Sequence, residues 1–501
     1  QEHFLVQPFI RPHMAVEPES LAFLQIAPVL DGQLAPTVLS SAGLLCGASL
    51  ACVAATVLAE LCHLRVPFAK HRPEFFMQGV MLLMLLVSAM DMMILVPLTY
   101  DLSVELRQGA LMSGLILGAL LALQPVGAFF GRLVSSQDYS FAFRRRFVVL
   151  GKCLHVLVTL ALVPVLGQSH HWPSLTVIWA IIALRLLAGF TIGVFDVALE
   201  VLSFEFASME NRNLLSLCYF FALGLGSCMG PLICSGVLYA TNYDPRTSSQ
   251  SGQSIVGLVG LLWSLFAVIA STCLADGPGR QLNSVESVED VETRWTGVCQ
   301  ETRKALVGTV IVFNTERAFT SSAIEVATSL LLESQYGWQA ERIGLAIGVV
   351  FTTTTVLGAV SLLARDWLAS DSAIMYFLAV TSFLGSTLFF DWGVIGGPSS
   401  VWMLLAGDVA TFSCMFQLSG FMDGIATQAA VPNSVYSLAN YTLLRSVCIC
   451  VPRGIAPPLV RWLIDRFGRN AYAAVQISLT VSALFAIFFV APFAKPGKLK
   501  E

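Results

Sequence analysis

Charge is what this chain has least of. Only 12% of its 501 residues are Asp, Glu, Lys or Arg, against about 25% in an ordinary soluble domain. That shortage excludes a soluble globular protein, and a mean hydropathy of +0.75 with 56% hydrophobic residues agrees. There is no long basic tract, so no nucleic-acid partner is expected. No Cys-x-x-Cys pair occurs among the twelve cysteines; most, such as Cys46, Cys52, Cys153 and Cys273, sit in apolar runs as small hydrophobes, and Cys448 with Cys450 is the tightest spacing. His155 stands alone in an apolar run and His170-His171 have no third ligand nearby, so no metal is expected. Gly224-Leu-Gly226 is followed by no Lys-Ser/Thr, which excludes a phosphate loop and leaves no cofactor to expect. With no His cluster, nucleophile elbow or paired catalytic carboxylates, the chain does not read as an enzyme. The short alternating strands of a β-barrel are missing too.

What fills the chain is apolar runs of bilayer-spanning length, about 20 residues for a helix. Thirteen are predicted, over 37–60, 77–98, 109–131, 147–166, 174–203, 214–240 and 254–275, then 305–332, 343–363, 373–390, 398–422, 435–460 and 471–492. The fold class is an all-α polytopic membrane protein. Its expected organisation is a tail over 1–34, an extra N-terminal transmembrane helix over 35–60, and a six-helix half over 75–275. A cytosolic central loop over 276–304, a second six-helix half over 305–492 and a cytosolic tail over 493–501 follow. The chain begins with Gln, which reads as a fragment or a processed form. Arg65, Lys70 and Arg72 mark the flank after the first run as cytosolic. On that basis Arg132, Arg144, Arg145, Arg146, Arg280, Arg294, Arg303, Lys304, Lys495, Lys498 and Lys500 also fall inside, as the positive-inside rule prefers. Arg461, Arg466 and Arg469 fall outside, against the rule.

The few charges inside the runs recur at about every third run. Counted from the run at Met77, the first holds Asp91 and the fourth Arg185, Asp196 and Glu200. The seventh holds Glu316, Arg317 and Glu325, and the tenth Asp408. A charge at the bilayer centre costs about 3 kcal/mol on insertion scales, so each needs a partner or water. In the seventh run Asn314, Arg317, Ser321 and Glu325 share one helical face, with Glu316 off it. Asp408, with Gln417 beyond it, gives the tenth run a thinner polar side. Arg445 and Arg453 in the eleventh run read as helix-pairing groups, Arg445 with the reach to enter a central cavity.

The halves echo each other. Met229-Gly-Pro231-Leu-Ile resembles Ala456-Pro-Pro458-Leu-Val at an offset of about 227, and the Gly127 and Gly358 regions are offset by about 231. Parallel repeats of this kind build some transporters. The stretch Arg185-Leu-Leu-Ala-Gly189-Phe-Thr-Ile-Gly193, then Glu205 and Glu210-Asn-Arg212, and the run Gly226-Ser-Cys-Met-Gly230-Pro231 resemble motifs of the major facilitator superfamily over residues 75–492. The pattern departs from the family where its loop Asp is missing between Gly131-Arg132 and Arg144–Arg146, where Cys234 and Ser235 replace paired glycines, and in the degenerate Arg365-Asp366.

The resemblance implies two six-helix halves in pseudo-twofold arrangement, with runs 1, 4, 7 and 10 lining a cavity. It implies a secondary transporter of a small organic solute, working by alternating access with proton coupling or facilitated diffusion. The alternative is a non-transporting protein on the same scaffold: a sensor, chaperone or assembly subunit. Asp91 then reads as a titrating group or a permanently paired carboxylate, and Arg185 as an anion-holding group or a helix lock. Arg317, Asn314, Ser321, Glu325 and Asp408 complete the expected site. Asp196 and Glu200 are expected to pair with Arg132 or Arg144–Arg146 in a cytosolic gate, and Gly189, Gly193, Gly226, Gly230 and Pro231 to pack helices closely. The expected partners are the bilayer, a small-molecule substrate and protons, for a monomer in the plasma or a vacuolar/lysosomal membrane.

Overall fold

Inside a bilayer a backbone N–H or C=O finds no water, so each apolar run must satisfy its own hydrogen bonds as a helix. The computed structural model describes residues 51, 74–99, 102–103, 106, 109–135, 139–167, 173–206, 212–241, 250–274, 295, 297–364, 370–395, 400–431 and 434–494. The tail over 1–34, the extra helix over 35–60 save Ala51, loop residues 276–294, Glu210-Asn211, Arg365-Asp366 and the tail lysines lie outside the described residues.

The helices are α1 (Glu74–Met93), α2 (Gly109–Ala122, resuming as Gln124–Val134), α3 (Phe141–Gly167), α4 (Ser174–Phe206), α5 (Arg212–Ala240) and α6 (Gln250–Thr272). The second set is α7 (Gln300–Ser334), α8 (Ala340–Ala364), α9 (Asp371–Thr387), α10 (Val401–Ala429), α11 (Leu438–Phe467) and α12 (Arg469–Val490). The break in α2 falls at Leu123, two residues before Pro125. Proline has no N–H for the ladder and crowds the preceding turn. Among the described residues, nine helices are long and apolar enough to cross a membrane. The chain is an integral, multi-pass membrane protein.

The packing repeats. In the first half α1 lies on α5 and α6, α2 on α4, and α3 on α4 and α6. In the second, α7 lies on α11 and α12, α8 on α10, and α9 on α10 and α12. Adding six to each first-half partner reproduces the second set. The contacts between halves obey the same operation: α2 packs on α11 as α8 packs on α5. This is the expected pseudo-twofold of two six-helix halves. Both motif echoes join helices six apart, Pro231 on α5 with Pro458 on α11, and Gly127 on α2 with Gly358 on α8.

Glycine sets the closest approaches. A Cβ on Gly189 or Gly193 would run into the carbonyls of Leu120 or Gln124 on α2, and one on Gly226 into that of Leu86 on α1. Gly230 likewise faces Met90 O. Between halves, Gly118 of α2 meets the backbone of Gly454 on α11, and Gly344 of α8 meets Pro231 O. Small residues allow this backbone-to-backbone packing where lipid supplies no hydrophobic drive.

The arginines that broke the charge rule have a structural reason. Arg461 is only 1% exposed inside α11. Arg469 donates to Phe389 O at 2.7 Å and to Tyr336 Oη at 3.2 Å, tying the start of α12 to the ends of α7 and α9. The rule counts charges in loops, and these two are buried in protein. Arg466 is exposed in the last turn of α11, where a cation complements the helix C-terminus.

Candidate functional site

A cavity lies at mid-depth where the halves meet. It has a volume of about 80 Å³, room for several waters. Its charged and polar lining is Gln124 of α2, Asp196 and Glu200 of α4, Tyr219 and Ser227 of α5, Arg317 and Ser321 of α7, and Arg445, Ser446 and Arg453 of α11. Leu85, Ala89 and Met92 of α1 and Phe416 of α10 supply apolar wall. So α1, α4, α7 and α10 do line it, joined by α2, α5 and α11.

Two ion-pair networks face this space. Arg445 sits 2.8 Å from Glu200 Oε1 and 3.0 Å from Asp423 Oδ2, all three almost fully buried. Asp423 also accepts from Asn314 Nδ2 at 2.7 Å and from the Tyr441 hydroxyl. Arg445 further lies 5.2 Å from the Tyr219 ring centroid. This network crosses from α4 in one half to α7, α10 and α11 in the other. In the second network Arg453 donates to both oxygens of Glu325, at 3.0 and 3.2 Å.

The expected gate pairing does not form. Glu200 pairs with Arg445, and Asp196 lines the central cavity without an ion-pair partner among the described residues. Arg132 instead donates to Asn440 Oδ1 at 3.1 Å, joining α2 to the start of α11. Arg145 donates to Leu274 O, and Arg144 lies 5.5 Å from the Phe141 ring centroid. Arg146 is half-buried near them. The physical reason is depth: Asp196 and Glu200 lie one to three turns in from the end of α4, while the arginines stand at helix ends.

Asp91 also departs from expectation. It faces a second cavity, inside the first half, with His155 and Thr159 of α3 and Arg185 of α4. Its Oδ2 accepts from Ser264 of α6 at 2.8 Å and lies 3.5 Å from His155 Nε2, whose Nδ1 meets Thr191 Oγ1 at 3.0 Å. His155, which reads in sequence as an isolated residue, is therefore Asp91's neighbour. Arg185 is 3% exposed and makes no hydrogen bond or ion pair among the described residues. It lines this cavity and a third, between the halves, that holds Ser322, Glu325 and Arg453. Arg453 belongs to the central cavity as well, so Arg185 and Arg453 link the three spaces.

Asp408 is not part of this arrangement. It is fully buried, accepts from Thr328 Oγ1 at 2.8 Å and lines none of these cavities; Gln417 bonds Ser413 away from the central space. Glu316 accepts from Thr320 one turn on, off the cavity face as its position in the helix implied. Two functional candidates escape the charge pattern. Asp423 lies one residue past the predicted tenth run, and the helix continues to Ala429. Lys152 of α3 is 2% exposed, donates to Ser88 Oγ at 2.7 Å and rests 3.6 Å from the Phe195 ring centroid. It lies within electrostatic reach of both Asp196 and Asp91. A lysine inside an apolar run was the available signal.

No family model matches the sequence, and no curated protein matches it. Solved structures do. The MFS proton:xylose symporter XylE bound to 6-bromo-6-deoxy-D-glucose superposes with a TM-score of 0.65 at 12% identity, covering 85% of this chain and 97% of that one. The fold is that of the major facilitator superfamily. The inward-open xylose transporter XylE from E. coli gives a TM-score of 0.59 at 13% identity over 85% and 98% of the two chains. The outward-facing MFS transporter FucP gives 0.57 at 10% identity over 85% and 100%. Within the major facilitator fold, the central cavity described above occupies the interface between the two halves.

Proposed function

We propose that this protein is a secondary transporter, moving a small organic solute by alternating access with coupling to protons. One observation carries the reading: a mid-depth cavity between two repeat-related halves, lined by buried charges from both. Charges at that depth are kept where substrate or ions pass. The glycine contacts of α2 with α11 and of α5 with α8 hold the halves together at one level. The Glu200–Arg445 pair and the Arg132–Asn440 bond join them at another. Rocking of the halves would make and break the second group.

Proton coupling is assigned to Asp91. Its carboxylate has one uncapped oxygen and faces His155 and Ser264 inside the first half. Arg185 is the group whose environment changes when Asp91 gains or loses charge, and Arg185 reaches the space holding Glu325 and Arg453. A charge change at Asp91 is thereby felt at the interface between the halves.

The test is uptake into proteoliposomes of a solute panel that begins with D-xylose, with and without an inward proton gradient. A gradient-stimulated solute is expected, and Asp91→Asn should abolish the stimulation while leaving solute exchange. Gradient-driven uptake that survives Asp91→Asn would overturn the coupling assignment. No uptake of any solute would overturn the transporter reading.

A further inference from the structure

Three arginines line the central cavity, and two are already satisfied: Arg445 by Glu200 and Asp423, and Arg453 by Glu325. Arg317 is not. It is 4% exposed, makes no hydrogen bond or ion pair among the described residues, has Asp423 and Glu316 within electrostatic reach but not in contact, and rests against the faces of Phe220 at 5.0 Å and Phe416 at 5.9 Å. Aromatic faces attract a cation without neutralising it. The carboxylates of the same lining divide in the same way. Glu200 is paired, whereas among the described residues Asp196 has no hydrogen bond, its Oδ1 bare and buried, and no cation within ion-pair distance. Lys152 and Arg445 are in electrostatic reach of Asp196, but the Lys152 ammonium is held by Ser88 and the Phe195 ring and the Arg445 guanidinium by Glu200 and Asp423.

The cavity therefore presents one cation and one anion without a direct partner among the described residues, from α7 and α4, on opposite halves. Buried charges of this kind are completed by something that brings the opposite sign. We infer that the cavity is built for a zwitterion, a small primary-amine carboxylate of amino-acid type. Its carboxylate meets the Arg317 guanidinium, whose planar fork suits two oxygens at once. Its ammonium meets Asp196, and an apolar side chain lies against Phe220, Phe416 and Met92. A neutral sugar would leave both charges unmatched, and a simple anion would leave Asp196 so. A zwitterion also ties α4 to α7 across the interface. Ligand binding then favours the state in which the halves are closest, which is the differential affinity that alternating access needs.

This inference rests on the transporter reading and names the substrate class of that same site. The test is thermal stabilisation of the purified full chain in detergent by L-leucine and L-phenylalanine. N-acetyl-L-leucine, L-leucine methyl ester, succinate and D-xylose serve as comparisons. The free amino acids are expected to raise Tm and the others to leave it unchanged. Arg317→Gln and Asp196→Asn should each weaken amino-acid binding by about tenfold or more. Arg317→Lys keeps the charge and loses the fork, and it should bind more weakly while folding normally. Stabilisation by D-xylose or N-acetyl-L-leucine equal to that by leucine, or none by either amino acid, overturns the inference. Sugar uptake without amino-acid binding overturns it and leaves the transporter reading standing. Amino acids that bind but are never taken up into proteoliposomes leave the site standing and overturn transport.

Discussion

The two halves share a packing plan and differ in how much of their buried charge is paired. The second half locks most of its interface charges together: Arg453 holds Glu325, and Asp423 holds Arg445, Asn314 and Tyr441, while Arg317 stays open. The first half locks Glu200 and leaves more of its charge open. Among the described residues Asp91 and Asp196 each face a cavity with an oxygen that has no donor, and Arg185 has no counter-ion. A locked set gives a rigid wall. An unlocked set can change protonation or accept a ligand without first breaking a buried pair. The repeat thus yields one half whose interface charges are mostly fixed, Arg317 excepted, and one whose charges are mostly open, Glu200 excepted, with Glu200–Arg445 as a contact between them.

Breaking the lock should have the largest effect. Arg445→Ala leaves Glu200 and Asp423 buried without their cation, a loss of about 3–5 kcal/mol for a broken buried pair; the measurement is Tm of the purified protein, expected to fall sharply. A small fall would mean the second half is less locked than its geometry implies. Next is Gly189→Ala, which drives a methyl into Leu120 O and forces α4 away from α2, costing about 1–3 kcal/mol. Lys152→Met tests the responsive half directly. Lys152 makes no ion pair among the described residues, so Tm should stay near that of the parent while gradient-stimulated uptake falls by about tenfold. A large Tm loss with normal coupling would make Lys152 a structural residue and blur the contrast. The smallest effect belongs to Asp408→Asn, which keeps an acceptor for Thr328; about 1 kcal/mol or less in stability and unchanged uptake are expected.

The architecture was readable because a bilayer narrows the choices. Runs of sufficient length must be helices, and every predicted span from 77–98 to 471–492 corresponds to one. The glycines of α4 and α5 were legible for a related reason: close approach in lipid requires small residues, and Gly189, Gly193, Gly226 and Gly230 each face a neighbouring backbone. The site was only partly legible. Arg317 and Ser321 reach the central cavity as the shared face implied, while Asn314 and Glu325 serve the networks beside it. Asp408 shares a helix with Asp423, yet only Asp423 joins the cavity network. Apolar runs lose their edges where polar residues begin, so a span ended at Met422 hides the carboxylate at the next position. His155 looked isolated because its partner, Asp91, lies on a different helix.

The sequence alone determined that this is a multi-pass helical membrane protein with two related halves and a few costly buried charges. Hydropathy, glycine spacing and repeat offset act along the chain and survive without knowledge of neighbours. Tertiary structure decided which charges are neutralised and which remain open. Pairing depends on helices that approach in space after hundreds of intervening residues, such as Glu200 and Arg445. An electrostatic contact is decided by a few ångströms, which spacing in one chain does not encode.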